Sequence, residues 1–291
     1  MKPPPFEYVA PDSLEEALAI LEQHGYDAKI LAGGQSLIPL MNFRLAQPAL
    51  LVDLNRLTDL AGLTVDGNGD LRVGGLTRQR ELERDPRVAA SSPLVAETVP
   101  FVAHPQIRNR GTVGGNLAHA DPASELPVVA VALGAEMVIR GTSGERRVAA
   151  EDFFVGLMTP DLAPAEILVE AIFPRQPQRT GTAFMEISRR HGDYAQSGVA
   201  AVVTFTESGA VERARLVYLS AGEIPTRARR AEEILSGEPD WDKAVAEAAA
   251  VASLEEIDPS NDIHATADFK RHLAGVLTRR ALQTARSRAA A

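Results

Sequence analysis

Cysteine is missing from the 291-residue chain. That single absence removes disulfides, thiol nucleophiles, Cys-based zinc sites and any conventional iron–sulfur cluster held by this chain's own side chains. Long apolar runs are missing too. The longest stretch, from Leu126 to Ala135, is about half of the ~20 residues that a membrane helix requires. The opening Met1-Lys2-Pro3-Pro4-Pro5 leads into Phe6-Glu7 with no apolar export segment, so a soluble, cytoplasmic protein is expected. There is no excess of positive charge either: 30 Lys plus Arg stand against 39 Asp plus Glu, a net charge of −9. An acidic chain lacks the basic face of a nucleic-acid binder. What remains is ordinary globular composition, 45% hydrophobic and 24% charged, long enough for about two domains.

Local patterns give a mixed α+β reading. Ser13-Leu14-Glu15-Glu16 fits a capping box, and Leu14, Ala17, Leu18 and Leu21 follow at helical spacing until Gly25. Lys29 to Ala32 and Leu50 to Leu54 read as buried strands. Leu71 to Val73 reads as a strand, with helices over Arg78 to Arg84 and Leu94 to Val99. Leu126 to Leu133 is an apolar helix with Pro127 in its first turn. Glu136 to Arg140 and Arg146 to Val148 flank a hairpin turn, and Ile167 to Phe173 is a further strand. Pro174-Arg175-Gln176-Pro177-Gln178 is the best linker, because two prolines and no apolar residue break the pattern. Beyond it, strands are expected over Gly181 to Ser188, Val199 to Phe205 and Val211 to Leu219. Helices follow over Thr226 to Leu235, Trp241 to Leu254 and Ala267 to Arg286. This segregation indicates α+β.

Two glycine loops carry the functional signal. Ala32-Gly33-Gly34-Gln35-Ser36 follows a strand and enters a helical turn. Adjacent glycines permit either a tight structural turn or a convergence of backbone N–H groups on a phosphate. Thr112-Val113-Gly114-Gly115-Asn116 repeats the pattern with a hydroxyl and an amide beside it, and Asp121 and Glu125 follow closely. Backbone donors for a pyrophosphate and carboxylates for ribose hydroxyls are what a dinucleotide needs. Ser36 is no nucleophile elbow, since the second glycine of Gly-x-Ser-x-Gly is absent, and neither a Walker loop nor Gly-x-Gly-x-x-Gly can be matched. His104, His119, Asp121 and Glu125 do not have the spacing of a metal motif.

Leu31-Ala32-Gly33-Gly34-Gln35-Ser36-Leu37-Ile38-Pro39-Leu40-Met41 and Gly111-Thr112-Val113-Gly114-Gly115-Asn116-Leu117-Ala118-His119-Ala120-Asp121-Pro122 resemble the FAD-binding medium subunits of molybdenum hydroxylases, the family of xanthine dehydrogenase and aerobic carbon monoxide dehydrogenase. Arg189-Arg190-His191-Gly192-Asp193-Tyr194-Ala195 is a third match, and since order, spacing and total length agree, the resemblance covers essentially the whole chain. The resemblance implies a two-part FAD domain of the vanillyl-alcohol-oxidase-like (PCMH) type over residues 1–175, with subdomains of about 1–56 and 57–175. A C-terminal domain would follow over 176–291, with a three-stranded antiparallel sheet and a helical bundle.

The same resemblance implies the site. Ile30, Leu31, Ala32, Gly33, Gly34, Gln35, Ser36 and Leu37 would wrap the FAD pyrophosphate, and Val102 and Ala103 would approach the flavin. Thr112, Gly115 and Asn116 would hold the phosphate and ribitol side, with Asp121 nearby. Glu125 stands where the family often has Asp for an adenosine-ribose contact. Leu168 would pack near the adenine or flavin, and Asp193 and Tyr194 would sit by the isoalloxazine. Met185 stands where vertebrate xanthine dehydrogenase has a cofactor-contacting lysine.

No catalytic acid or base and no metal ligand is implied for this chain. A small subunit with two [2Fe–2S] clusters and a large molybdenum-cofactor subunit are the implied partners, in a heterohexamer with two copies of each chain. The flavin would pass electrons to NAD, a quinone or oxygen, and substrate choice would lie with the large subunit. Two other readings are a self-contained flavin oxidoreductase of the same fold, such as the reductase of peptidoglycan-precursor synthesis, and a non-redox nucleotide-binding module.

Overall fold

The computed structural model describes residues 2–290. The chain starts with β1 (Glu7–Val9), α1 (Leu14–His24), β2 (Ala28–Leu31), α2 (Leu37–Asn42) and β3 (Leu50–Asp53). The three strands form a parallel sheet in the order β1-β3-β2, with Glu7 opposite Leu50 and Leu31 opposite Asp53. Ser13 caps α1, accepting from the Glu16 N–H at 3.1 Å, while the Glu16 carboxylate reaches back to the N–H of Asp12 rather than Ser13. Gly25, at φ 52°, ends the helix in a conformation that a side chain would resist. Ala17, Leu18 and Leu21 of α1 pack with Leu50, Val52, Val138, Ile167 and Val169, so this small layer leans on the back of the next sheet.

That sheet has five strands: β4 (Leu63–Val65), β5 (Leu71–Gly74), β6 (Glu136–Gly141), β7 (Gly144–Ala149) and, after the short hairpin β8 (Phe154–Gly156) and β9 (Thr159–Pro160), β10 (Ile167–Phe173). Its order is β4-β5-β10-β6-β7, antiparallel throughout. Between β5 and β6 run six helices, α3 (Gln79–Arg84), α4 (Pro86–Ser91), α5 (Pro93–Thr98), α6 (Pro105–Arg108), α7 (Val113–His119) and α8 (Glu125–Leu133), and α9 (Ala150–Phe153) follows β7. Every residue of α8 is buried, which explains why its sequence is apolar on all sides. Pro127 is tolerated near its start, where an intrahelical N–H bond is not yet needed.

The remaining chain forms β11 (Thr180–Ser188), β12 (Ala195–Phe205), β13 (Val211–Leu219), β14 (Thr226–Arg227), α10 (Arg229–Gly237), α11 (Trp241–Val251) and α12 (Ala267–Ala289). The sheet order is β11-β12-β13-β14 and all pairs are antiparallel. Thr226 and Arg227, expected to begin a helix, instead add a short fourth strand opposite Tyr218 and Val217. A π-helical turn, Ala252–Glu256, extends α11. Both faces of this sheet are covered. Val199, Ala201 and Val203 pack on α10 to α12, whereas Phe184, Ala200, Val202, Val217 and Leu219 join the core made by α5, α8 and β10. Double coverage turns β12 into a nearly continuous apolar run. Gly181 lets α12 cross β11, because a Cβ there would overlap the Ala285 carbonyl. Among the described residues, no helix is long and apolar enough to cross a membrane.

Candidate functional site

The first glycine loop runs from β2 into α2, and its carbonyls are tied down. Asn55 Nδ2 donates to the Ala32 carbonyl at 2.9 Å, and Gln35 Nε2 donates to the Gly33 carbonyl at 3.0 Å. Asn55 is held by Asp53 on one side and by Arg78 on the other, with Arg78 Nη2 donating to Asn55 Oδ1 at 2.6 Å. The backbone N–H groups from Gly33 to Leu37, by contrast, donate to no described residue. Gly33, Gly34 and Gln35 line a cavity of about 420 Å³ together with Asp53, Asn55 and Arg110. Successive free amide donors beside an open cavity form an anion-binding concavity, and the volume is that of a small-molecule site.

The second loop plays a different part. Thr112 caps α7 and its Oγ1 accepts from the Gly115 N–H at 3.1 Å. The N–H of Val113 donates to Thr77, that of Gly114 to Gly75 and that of Asn116 to the Thr112 carbonyl. The backbone donors from Val113 to Asn116 are therefore already used within the protein. Its glycines allow close packing instead: a Cβ on Gly114 would lie 2.7 Å from the Gly75 carbonyl, and one on Gly115 would meet Thr112 Oγ1 at 2.6 Å. The side-chain amide of Asn116 is anchored at one end, its Oδ1 accepting from Ser124 Oγ at 2.9 Å.

The two loops touch. A Cβ on Gly33 would stand 2.5 Å from the Arg110 carbonyl and 2.8 Å from Gly111 Cα, and one on Gly115 would meet the Ala32 methyl at 3.6 Å. Ile30 and Ala32 are half-buried against the α1 core, and Leu168 is buried behind the second loop, its carbonyl against Gly75.

A second group assembles around Val102 and Ala103. Ala103 has φ 47°, a strained value for a residue with a Cβ. It is over-determined by Arg108, whose Nη1 donates to the Val102 carbonyl at 2.9 Å and the Ala103 carbonyl at 3.0 Å. The same guanidinium, 4% exposed, forks onto Glu83 at 2.9 and 3.1 Å. The 189–194 turn lies over this segment. His191 stacks on Phe101 at 5.8 Å, and Gly192, at φ 90°, sits so close to His104 and the Ala103 carbonyl that no side chain fits. Asp193 follows, within 3.9 Å of Arg189, and Tyr194 projects with 70% of its surface exposed. The protein around its hydroxyl, and then the charges of Asp121 and Glu125, push the phenol above its ordinary value.

Glu125, 6% exposed at the start of α8, completes this group. Burial pushes it up to about 7, with Asp121 adding to the rise and Arg108 opposing it. Thus Asp121, Glu125, Asp193 and Tyr194 converge near Val102 and Ala103, and α7 connects them to the glycine loops. Met185 does not join them. It packs against the helical layer around α12, and strand alternation turns its neighbour Glu186 toward the other face. His104, His119, Asp121 and Glu125 form no metal-binding group among the described residues.

Sequence reasoning missed Arg78, Glu83, Arg108, Arg110 and Glu186. Arg108 and Glu83 are 25 positions apart, and nothing local in either segment announces the pair. Charged residues directly before the second loop were the one usable signal for Arg108 and Arg110.

Residues 4–176 match the FAD binding domain in molybdopterin dehydrogenase, and residues 182–285 match the CO dehydrogenase flavoprotein C-terminal domain. The chain is similar to the 6-hydroxypseudooxynicotine dehydrogenase complex subunit alpha of Paenarthrobacter nicotinovorans, at 43% identity over 99% of this chain and 97% of that protein. It is also similar to the carbon monoxide dehydrogenase medium chain of Hydrogenophaga pseudoflava, at 39% identity over 100% of both chains. In structure it resembles carbon monoxide dehydrogenase from that organism, with a TM-score of 0.95, 40% identity and 99% of each chain covered. Quinoline 2-oxidoreductase from Pseudomonas putida 86 superposes with a TM-score of 0.93, at 37% identity and 99% of each chain.

Proposed function

Because the chain belongs to the family of FAD-binding medium subunits of molybdenum hydroxylases, we propose that it is the flavin relay of a three-subunit dehydrogenase, standing between iron–sulfur centres on a small partner and an external acceptor. The observation that carries this reading is the row of unpartnered N–H groups from Gly33 to Leu37, of which Gly33, Gly34 and Gln35 line the cavity. These donors suit the FAD pyrophosphate, with the cation of Arg110 in the same lining. Ile30, Leu31 and Ala32 supply the strand edge from which the loop departs. Thr112, Gly115 and Asn116 form the wall against which it closes, and Asn116 offers its amide to the cofactor's ribitol side. Asp121 and Glu125 accept from cofactor hydroxyls. Val102, Ala103 and Leu168 give an apolar bed, and Asp193 and Tyr194 cover the flavin.

FAD held by these residues would supply conversion between one-electron donors such as clusters and a two-electron acceptor. The chain's own residues bind and orient the cofactor and exclude water. None of them is assigned as acid or base toward the organic substrate, so substrate choice lies with the molybdenum subunit. The zero cysteine count requires the [2Fe–2S] clusters to sit on another polypeptide. The full assembly in this reading is a cytoplasmic heterohexamer with two copies of each of three subunits. The medium chain itself divides into an FAD-binding part, 1–175, and a C-terminal part, 176–291, and its acceptor is NAD, a quinone or oxygen.

A visible spectrum of the purified chain, before and after reconstitution with FAD, tests the reading. Flavin bands that survive gel filtration support it. Their absence after reconstitution, alone and with the two partner subunits, overturns it. Dehydrogenase activity by the chain alone would favour the self-contained oxidoreductase instead.

A further inference from the structure

The two glycine loops meet at one carbonyl, and one side chain holds it. A Cβ on Gly33 would stand 2.5 Å from the carbonyl oxygen of Arg110, so this oxygen marks where the first loop rests on the segment leading into the second. Arg78 Nη1 donates to the same oxygen at 2.5 Å. Its other arm, Nη2, donates to Asn55 Oδ1 at 2.6 Å, and Asn55 Nδ2 in turn donates to the Ala32 carbonyl at 2.9 Å. One guanidinium thus reaches the first loop through Asn55 and the second through Arg110.

Both ends of this chain of bonds are anchored. Arg78 stands just before α3, where its backbone forms an isolated antiparallel bridge with Thr112. On either side of it, the Gln79 N–H donates to the Gly111 carbonyl at 2.9 Å and the Val113 N–H to the Thr77 carbonyl at 3.0 Å. The Arg78 backbone is therefore fixed to the second loop, and its side chain crosses to the support of the first. Asn55 lies in the turn after β3. Its backbone N–H donates to Asp53 Oδ1 at 2.9 Å, its Nδ2 donates to that same oxygen, and Asp53 Oδ2 accepts from Tyr8 Oη on β1 at 2.6 Å. With two acceptors on the Nδ2 side and a cationic donor on the Oδ1 side, the Asn55 amide has one satisfied orientation. Turned over, it would set its oxygen against the Ala32 carbonyl and the Asp53 carboxylate.

We propose that Arg78 is a positioning residue for the FAD diphosphate: with Asn55 it clamps the Ala32–Gly33 turn to the second loop, so that the free N–H groups of Gly33, Gly34 and Gln35 are in place before the cofactor binds. The proposal rests on the FAD reading above and adds a residue behind the cavity wall, since Asp53, Asn55 and Arg110 line the cavity and Arg78 acts through them. A backbone rich in glycine has more conformational freedom to lose than any other. Ordering it during binding would subtract from affinity, and a clamp that orders it beforehand removes that cost. The acceptors of Arg78 are a carbonyl and an amide oxygen, both neutral, so the fork geometry of the guanidinium is what joins the loops.

FAD titrations of the full-length chain test the clamp, using Arg78→Met, Arg78→Lys, Asn55→Ala, the Asn55→Ala/Arg78→Met double variant and Arg72→Met. Arg72 joins Glu170 between β5 and β10, so its replacement removes an ion pair of the same domain without touching either loop. The FAD dissociation constant should rise about tenfold in Arg78→Met and by a comparable factor in Asn55→Ala. The double variant should be no weaker than the weaker single one, because either change opens the same chain of bonds. Arg78→Lys keeps the charge but loses the fork, and should recover only part of the affinity. Arg72→Met should bind FAD as the unmodified chain does. Urea midpoints establish that each variant is folded during the titration, and Asn55→Ala with Arg78→Lys decides the matter if Arg78→Met is not. Unchanged affinity in the loop variants, additive losses in the double variant, full recovery by Arg78→Lys or an equal loss in Arg72→Met would each overturn the clamp. An unmodified chain that binds no FAD brings down the flavin reading and the clamp with it, whereas tight binding that is indifferent to Arg78 and Asn55 brings down the clamp alone.

Discussion

Arg108 holds the carbonyl of Ala103 at 3.0 Å from a guanidinium that is itself 4% exposed and forked onto Glu83. A charge buried this deeply is tolerated because the carboxylate and three carbonyls use its donors. The linkage fixes a strained turn immediately before α6.

Replacing Arg108 with Met should therefore destabilise the chain by about 3 kcal/mol, since it strands Glu83 and the Val102 carbonyl. Arg80, 2.7 Å from Glu83, compensates only in part. Arg108→Lys should recover less than half of the loss, because an ammonium cannot fork onto a carboxylate and reach the turn together. Urea midpoints of the three proteins decide the matter, and equal midpoints would remove Arg108 from this role.

Gly33→Val should abolish retention of FAD and leave the chain folded. Its Cβ would fall 2.5 Å from the Arg110 carbonyl, which forces apart the two loops but disturbs no large core cluster. Far-UV circular dichroism should be unchanged while the flavin bands disappear. A fully flavinated, stable variant would refute the assignment of this loop.

Tyr194 separates function from stability. With 70% of its surface exposed, truncation to Ala should change the unfolding free energy by less than about 0.5 kcal/mol. The visible spectrum and the reduction potential of bound FAD should shift all the same. An unaltered spectrum and potential would place Tyr194 away from the flavin.

Stability should fall as pH rises from the ordinary glutamate range to about 8. Glu125 and Glu186 are pushed up to about 7 and about 8 in the folded chain, so the native state binds more protons than the unfolded one throughout that window and loses ground as they leave. Above it the loss is complete and the curve levels. Glu186→Gln should flatten the upper part of the profile in chemical denaturation between about pH 5 and pH 9. A parallel profile in the variant would show that other groups set the slope.

Arg288, near the end of α12, joins Glu97 of α5 at 2.7 and 3.0 Å and also donates to the Thr182 carbonyl. The pair is partly exposed, so Arg288→Ala should cost about 1 kcal/mol or less. Glu97→Gln should cost a similar amount, and the double variant less than their sum. Full additivity would show that the two side chains do not act together.

Much of the fold was legible because its strongest elements obey local rules. Ser13 and Gly25 bracket α1, the run from Leu126 to Leu133 is a buried helix, and the hairpin at Gly141 to Gly144 falls where the turn residues stand. Elements of two or three residues, such as Glu7–Val9, Leu63–Val65 and Thr226–Arg227, were missed. Their pairing partners, distant in sequence, define them more than their own periodicity does. The family motifs named the glycine loops and the turn around Tyr194. Sequence did not reveal that the N–H groups of Val113 and Gly114 are already occupied, because their acceptors, Thr77 and Gly75, belong to another segment. Nor did it reveal that Glu186, not Met185, turns away from the helical layer, since that depends on which face of β11 meets α12.

The four-stranded sheet has no face left for water, and that bears on how the chain behaves as a polymer. Phe184, Ala200, Val202, Val217 and Leu219 belong to the same apolar cluster as Leu126, Val129 and Phe173. The segment from Pro174 to Gln178 therefore joins two lengths of sequence whose burial already depends on each other. Covalent continuity there mainly raises the local concentration of one length about the other. A nick in that segment would cut the polypeptide but leave its two fragments associated as a complementing pair. Neither fragment made alone would cover its exposed apolar surface.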